Sequence, residues 1–293
     1  MDRKEVEQKA TKILEDAENK IKGKSFFKNL FGPPIEIEEA AGMVSHAANL
    51  FASVQLWECA GKAFFKSGDM LLQKNKNSIA AASSFVDAAN AFKKIDSYEA
   101  INCLSKAIEV YTCLGKFYTV ARCHMNIAAI YENDILELDK AIFHYENASG
   151  YYGGEGYNKL SDDCMLLIAR LSIQKEDFDR AGKIFEQVGY NRMNTMLSKY
   201  ESRHQLLYAI MCYLCSDVSR AKRSLDKYKD IFPAFKDFKE CKFIEKILAA
   251  CETKNIETFT SAIEEYDHGN TIDEALMSML LTIRKATFED EVE

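Results

Sequence analysis

Residues 81–107 read AASSFVDAANAFKKIDSYEAINCLSKA, and the order of small and large side chains in this stretch decides the fold. Ala81, Phe85 and Ala88 stand at i, i+4 and i+7, and so do Ala100, Leu104 and Ala107. That spacing puts a small, a large and a small side chain on one helical face. The small residues let a neighbouring helix approach closely, and the large one fills the gap beyond them. The same register appears on both sides: Ala40, Val44, Ala47; Ala60, Phe64, Ser67; Ala121, Met125, Ala128; Ala141, Tyr145, Ala148; Ala181, Phe185, Val188; and Ala221, Leu225, Tyr228. Between residues 141 and 181 it loosens, to Leu160, Cys164 and Leu167. The leading residues 40, 60, 81, 100, 121 and 141 lie 20, 21, 19, 21 and 20 apart, and 141, 181 and 221 lie 40 apart. About 20 residues hold one helix of roughly 14 residues and a turn. Two make a hairpin of about 40, so the pattern predicts a tetratricopeptide-like solenoid with units longer than the usual ~34.

Turns are expected at Lys66–Asp69, Lys94–Ser97, Leu114–Lys116 and Gly153–Gly156. Beyond residue 234 the pattern changes. Phe243, Ile247, Ala250 and then Phe259, Ile263, Tyr266 still read as helices, and Ile272, Leu276, Met279, Leu280 and Ile283 form a last amphipathic stripe. Residues 1–234 are therefore expected to form the repeat array and residues 235–293 a compact helical cap over its terminal apolar face.

Composition agrees with long helices and a large core. Hydrophobic residues make up 47% of the 293, with only 3 Pro and 13 Gly to interrupt helices. The net charge of −7 argues against nucleic-acid binding. The charged start, Met1 to Lys12, does not read as a secretory signal. The longest apolar run, Leu206–Cys215, is half a membrane span and reads as a buried helix. Nine cysteines without scaffold spacing read as reduced thiols of a cytoplasmic protein.

No phosphate-cradling loop, zinc motif or catalytic constellation stands out, so the chain reads as a non-enzyme without cofactor or metal. His46, His124, His144, His204 and His268 are scattered and read as surface or structural residues. Cys212 and Cys215 fall inside the apolar run and read as packing. Two segments look functional. From Lys20 to Pro34, Phe26, Phe27, Leu30 and Phe31 are surrounded by Lys20, Lys22, Lys24 and Lys28 with no acid between. This is either a loop tucked into the first repeat or a membrane-surface wedge, with aromatics in the acyl boundary and lysines on anionic headgroups. The tail Phe288–Glu293 is acidic, either a solvated end or a handle for a basic surface.

Several stretches resemble the soluble NSF attachment protein family of vesicle fusion: Lys24-Ser-Phe-Phe-Lys-Asn-Leu-Phe-Gly32, Phe85-Val-Asp-Ala-Ala-Asn-Ala-Phe-Lys-Lys94, Glu99-Ala-Ile-Asn-Cys-Leu104, Lys140-Ala-Ile-x-His-Tyr-Glu146, Ile184-Phe-Glu-Gln-Val-Gly189, Phe232-Pro-Ala-Phe235 and Glu240-Cys-Lys242 run collinearly over nearly the whole chain. The resemblance implies an all-α, right-handed tetratricopeptide-like helical solenoid with a C-terminal helical bundle. It also implies an adaptor that binds an assembled SNARE bundle (syntaxin-type and partner SNAREs) and recruits and stimulates the hexameric N-ethylmaleimide-sensitive AAA ATPase that disassembles it. Such an adaptor would be cytoplasmic and weakly, peripherally attached to membranes. By the same resemblance Lys116, Arg122, Lys199 and Arg203 would face the SNAREs. Asp217, Glu252 and the tail Glu289, Asp290, Glu291 and Val292 would meet the ATPase. Lys24, Phe26, Phe27, Lys28, Leu30 and Phe31 would touch the membrane.

The chain also departs from the family pattern. Where relatives read Asn-Lys-Cys-Leu-Leu-Lys, it has Asp162-Asp-Cys-Met-Leu-Leu167, which puts Asp163 and Leu167 in place of two lysines. Leu-Asp-Gln-Trp becomes Ile272-Asp-Glu-Ala275, Ala249 and Thr253 interrupt the acidic patch, and Val292 stands where relatives have a terminal leucine. These departures keep two alternatives open: a diverged paralogue that binds SNAREs or the ATPase without coupling them, and a generic tetratricopeptide-like scaffold.

Overall fold

The computed structural model describes residues 2–25, 36–193, 201–268 and 271–289. Fourteen α-helices occur among the described residues, and no strand. Packing divides the chain into two compact units, 1–161 and 162–293, with the division falling inside α8 (Asn158–Gln174).

The first unit holds α1 (Arg3–Ser25), α2 (Glu36–Ser53), α3 (Trp57–Lys74), α4 (Ile79–Phe92), α5 (Ser97–Cys113), α6 (Phe117–Ile130) and α7 (Leu138–Gly154). Each packs on the next in chain order, the signature of a repeat array. The small–large–small residues are the ones that touch: Ala81, Phe85, Ala88, Ala100, Leu104 and Ala107 are all fully or nearly fully buried in one continuous core. Caps mark the helix starts. Asp96 Oδ1 accepts from the backbone N–H of Tyr98 (3.0 Å) and Glu99 (3.1 Å), and Ser78 Oγ accepts from Ala81 (3.2 Å). Gly115, at φ +65°, turns the chain from α5 into α6 within three residues.

Two sequence readings need correction here. Lys66–Asp69 is not a turn, because α3 runs through it. Gly68 marks a close helix approach instead: a Cβ there would lie 2.8 Å from the Phe85 ring. The loosened register at Leu160, Cys164, Leu167 is also displaced, since Leu160 and Leu167 are only half-buried. The small residue at the helix crossing is Ser161, whose Oγ lies 2.9 Å from Ser149 Oγ and donates to the Ser149 carbonyl (3.0 Å). It stands midway between Ala141 and Ala181, so the 20-residue step continues with serine in place of alanine.

The second unit holds α9 (Phe178–Met193), α10 (Ser202–Leu214), α11 (Val218–Ile231), α12 (Lys239–Glu252), α13 (Ile256–Asp267) and α14 (Glu274–Arg284). A second serine-led register lies on α10, where Ser202, Leu206 and Ala209 are each 0% exposed. The apolar run from Leu206 makes α10 the central helix, buried on all sides. Tight α9–α10 contact depends on Gly182: a Cβ there would lie 2.5 Å from Tyr213 Cε1. Phe235, Phe243, Ile247, Phe259, Met279 and Ile283 share one core with Phe185, Leu206 and Ile210; α12 and α14 pack on α10, and α13 packs on α12.

Candidate functional site

In the first unit, Lys116 caps the start of α6, where its carbonyl accepts from Thr119 (2.9 Å) and Val120 (3.0 Å) while its side chain reaches solvent. Arg122 lies on the outer side of α6, because Ala121, Cys123 and His124 take the inward positions. Both cations are exposed, and neither makes an ion pair among the described residues.

Below them α6 is held to α7 by a ladder of rings. Phe117 stacks on Tyr151 (5.8 Å between centroids), Tyr151 on His124 (5.8 Å), His124 meets His144 (5.1 Å), and His144 stacks on Tyr131 (5.7 Å). The members of each helix are seven residues apart: 117, 124, 131 on the α6 side and 144, 151 on α7. At the centre the two imidazoles share a hydrogen bond, Nδ1 to Nδ1, of 2.9 Å. One ring must donate and the other accept, so at least one stays unprotonated at that atom. Burial, and secondarily the charge of His124, push the His144 pKa down to about 4; burial also lowers that of His124. Two histidines that looked scattered in the sequence are thus one structural pair.

In the second unit Arg203 is half-buried. Its Nε lies 3.3 Å from Glu240 Oε1, its guanidinium sits over the Phe238 ring at 5.5 Å, and Glu240 is only 2% exposed. Its charge therefore serves a buried carboxylate. The outward basic feature of this unit is one that sequence reading missed: Lys239, Lys242 and Lys246 lie exposed at i, i+3 and i+7 on α12, beside the stacked rings of Phe243 and Tyr266 (4.3 Å). Their spacing was the available signal. Lys246 is paired with Glu265. Asp163, on the α8 turn that departs from the family pattern, is bound by Arg192 Nη2 at 3.0 Å, and the neighbouring Asp162 accepts from Asn191 Nδ2 at 2.9 Å.

Asp217 caps α11, its Oδ1 accepting from Ser219 N–H at 2.8 Å, and Arg223 stands 3.9 Å from its other oxygen. Glu252, in the last turn of α12, accepts from Lys222 Nζ at 2.6 Å. Lys222 and Asp217 are five residues apart, so α11 brings the two carboxylates to one end of the α11–α12 pair. Each is partly neutralised by a neighbour. Ala249 and Thr253 contribute no charge, and Thr253 Oγ1 donates to the Ala249 carbonyl at the helix end (2.8 Å).

Phe26, Phe27, Lys28, Leu30, Phe31, Lys199, Asp290, Glu291 and Val292 lie outside the described residues, and the side chains of Lys24 and Glu289, at helix ends, are likewise not described. Cys212 and Cys215 pack on α14, with Cys212 Sγ 3.3 Å from Met279 Sδ and Cys215 Sγ 3.7 Å from the Met279 carbonyl. Burial raises both thiols, Cys215 to about 12. Among the described residues no three His, Cys, Asp or Glu side chains gather as metal ligands, and no helix is long and apolar enough to cross a membrane.

The profile described as soluble NSF attachment protein matches residues 8–287. The chain belongs to the soluble NSF attachment protein family. It is 98% identical over 274 residues to a soluble NSF attachment protein homolog of fowlpox virus, covering 94% of this chain and 99% of that one. It is 42% identical to the alpha-soluble NSF attachment protein of Mus musculus, with 99% of both chains covered. To the bovine beta-soluble NSF attachment protein it is 41% identical, covering 98% of this chain and 96% of that one. As a soluble NSF attachment protein family member, the chain presents exposed cations on α6 and α12 and a carboxylate pair at the end of α11–α12.

Proposed function

We propose that this chain is an adaptor that binds assembled SNARE bundles and recruits and stimulates the hexameric AAA ATPase that takes them apart. Family membership supports the attachment role. The observation that carries the SNARE half is the exposed, unpaired Lys116 and Arg122 on α6, charges available to an acidic helical bundle. Lys239 and Lys242 of the second unit, together with Lys199, serve the same SNARE-facing role. Arg203 acts there as an internal tie to Glu240. Asp217, Glu252 and the tail Glu289, Asp290, Glu291 and Val292 form the surface toward the ATPase. Lys24, Phe26, Phe27, Lys28, Leu30 and Phe31 attach the adaptor weakly to the cytoplasmic face of a membrane. The chain works without cofactor and catalyses nothing itself.

The test combines the purified chain, a preassembled SNARE bundle, the ATPase and ATP, and follows loss of the bundle. Disassembly supports the adaptor. Binding without disassembly favours a second reading, a paralogue that occupies SNAREs without coupling them. Two observations favour that reading: Asp163 is locked to Arg192, and the Asp217–Glu252 pair is partly neutralised by Arg223 and Lys222.

A further inference from the structure

A groove of about 590 Å³ opens on the first unit between the first half of α3 and the turn joining α4 to α5. Its apolar wall is made by Phe65, Phe92 and Ile95. Phe92 is buried and Phe65 half-buried, whereas Ile95 is 52% exposed on the turn. Three carboxylates, Glu58, Asp96 and Glu99, rim the groove against one ammonium, Lys62. That ammonium is paired with Glu58 at 2.5 Å, so these two charges cancel and the rim stays negative through Asp96 and Glu99. Asp96 uses only Oδ1 to cap α5, and Glu99 is reached by Asn102 Nδ2 at 3.4 Å. None of these residues belongs to the basic or acidic surfaces assigned above.

We infer that this groove is a docking site for a cationic amphipathic segment of another protein, one that sets an aliphatic side chain against Ile95 and Phe65 and flanking Lys or Arg side chains against Glu99 and Asp96. Charge decides the occupant. An acidic segment meets repulsion from Asp96 and Glu99, and a purely apolar one gains nothing from them. A segment alternating aliphatic and basic residues satisfies both the wall and the rim. Pockets of this volume are large enough for one or two anchoring side chains.

The chain carries its own reporter. Cys59 is an exposed thiol on α3 next to Glu58, and Cys113 is an exposed thiol at the far end of α5. At 1.5 Å per residue Cys113 is roughly 21 Å along α5 from Glu99. The probes are a short fluorescein-labelled Leu/Lys amphipathic peptide and its Leu/Glu counterpart, titrated onto the full chain by fluorescence polarisation. Maleimide labelling of both cysteines is followed by mass spectrometry. The Leu/Lys peptide should bind saturably and slow labelling of Cys59 but not of Cys113, and the Leu/Glu peptide should not bind. Glu58→Lys with Glu99→Lys should weaken binding at least tenfold, Ile95→Ala several-fold, and Glu109→Lys, an exposed carboxylate farther along α5, hardly at all. All four positions are exposed, and far-ultraviolet circular dichroism confirms that each variant folds. Equal binding by the double variant, equal weakening by Glu109→Lys, or an unprotected Cys59 would overturn the inference, because the peptide would then be responding to overall negative charge.

Discussion

The imidazole pair inside the α6–α7 ladder makes the stability of the first unit depend on pH in a defined direction. His144 in the folded chain has its pKa pushed from 6.5 to about 4, and that of His124 is lowered as well. Both are histidines whose folded proton affinity is below the unfolded one, so the unfolded chain takes up protons first. The contribution is therefore fully present above pH 6.5 and is lost as pH falls from 6.5 toward 4. For a fully buried group, a drop of this size corresponds to about 3 kcal/mol; His144 is partly exposed, and solvent screening reduces the figure to about 1–2 kcal/mol. The chain has one tryptophan, Trp57, at the start of α3 in the same unit, so its fluorescence in urea reports on the unit that holds the pair. The control is His124→Phe with His144→Phe, which keeps five rings in the ladder and removes both titrations. Its absolute stability is irrelevant; what matters is the change between pH 7.5 and pH 5.0. The native chain should lose about 1 kcal/mol more than the control over that interval, which stops short of the folded pKa. Equal losses would show that the proton affinity of the pair is not depressed and that the short Nδ1–Nδ1 approach does not persist in solution.

Other outcomes follow from packing and charge. Gly182→Ala forces a Cβ to 2.5 Å from Tyr213 Cε1 between α9 and α10 and should cost about 1–3 kcal/mol in chemical denaturation. Arg203→Met leaves the buried Glu240 without its guanidinium and should destabilise the second unit by roughly 3 kcal/mol, with most of this recovered when Glu240→Met is added, whereas a residue serving only partners would leave the melting temperature unchanged. Lys116→Glu with Arg122→Glu should reduce binding to SNARE bundles at least tenfold at low salt without altering the circular dichroism spectrum, and retained binding would refute the assignment of that surface. Asp163→Asn removes an exposed negative charge, while Arg192 keeps Glu201 at 3.8 Å, and should strengthen SNARE binding as measured by pull-down across a salt series.

Much of the fold could be read from one recurring pattern. Ala81–Phe85–Ala88 and its relatives occupy helix crossings because only small side chains permit the close approach. The reading faltered where serine took the place of alanine. Ser161 satisfies its hydroxyl against Ser149 on the neighbouring helix and Ser202 is fully buried, so both pass as small residues, a substitution that an alanine-led search skips. The stretch Lys66–Asp69 falls between two registers and is expected to turn, yet Gly68 lies within α3, where the Phe85 ring needs the space. The candidate site was less legible. Lys116 and Arg122 emerge exposed because neighbouring residues on α6 fill the inward positions, whereas Arg203 is claimed by a carboxylate 37 positions away in sequence.

The sequence by itself determined the helices, their roughly 20-residue period and the family, because these rest on local periodicity and on motifs that stay in order along the chain. Only the tertiary structure decided which charges are free and which are spent, since that depends on residues brought together across helices. It set His124 against His144 on adjacent helices, gave Asp163 to Arg192 and Glu240 to Arg203, and left Ile95 uncovered among carboxylates. Helical spacing places a side chain on a face, but the neighbour that face meets is chosen by long-range packing, and that choice sets its charge, exposure and proton affinity.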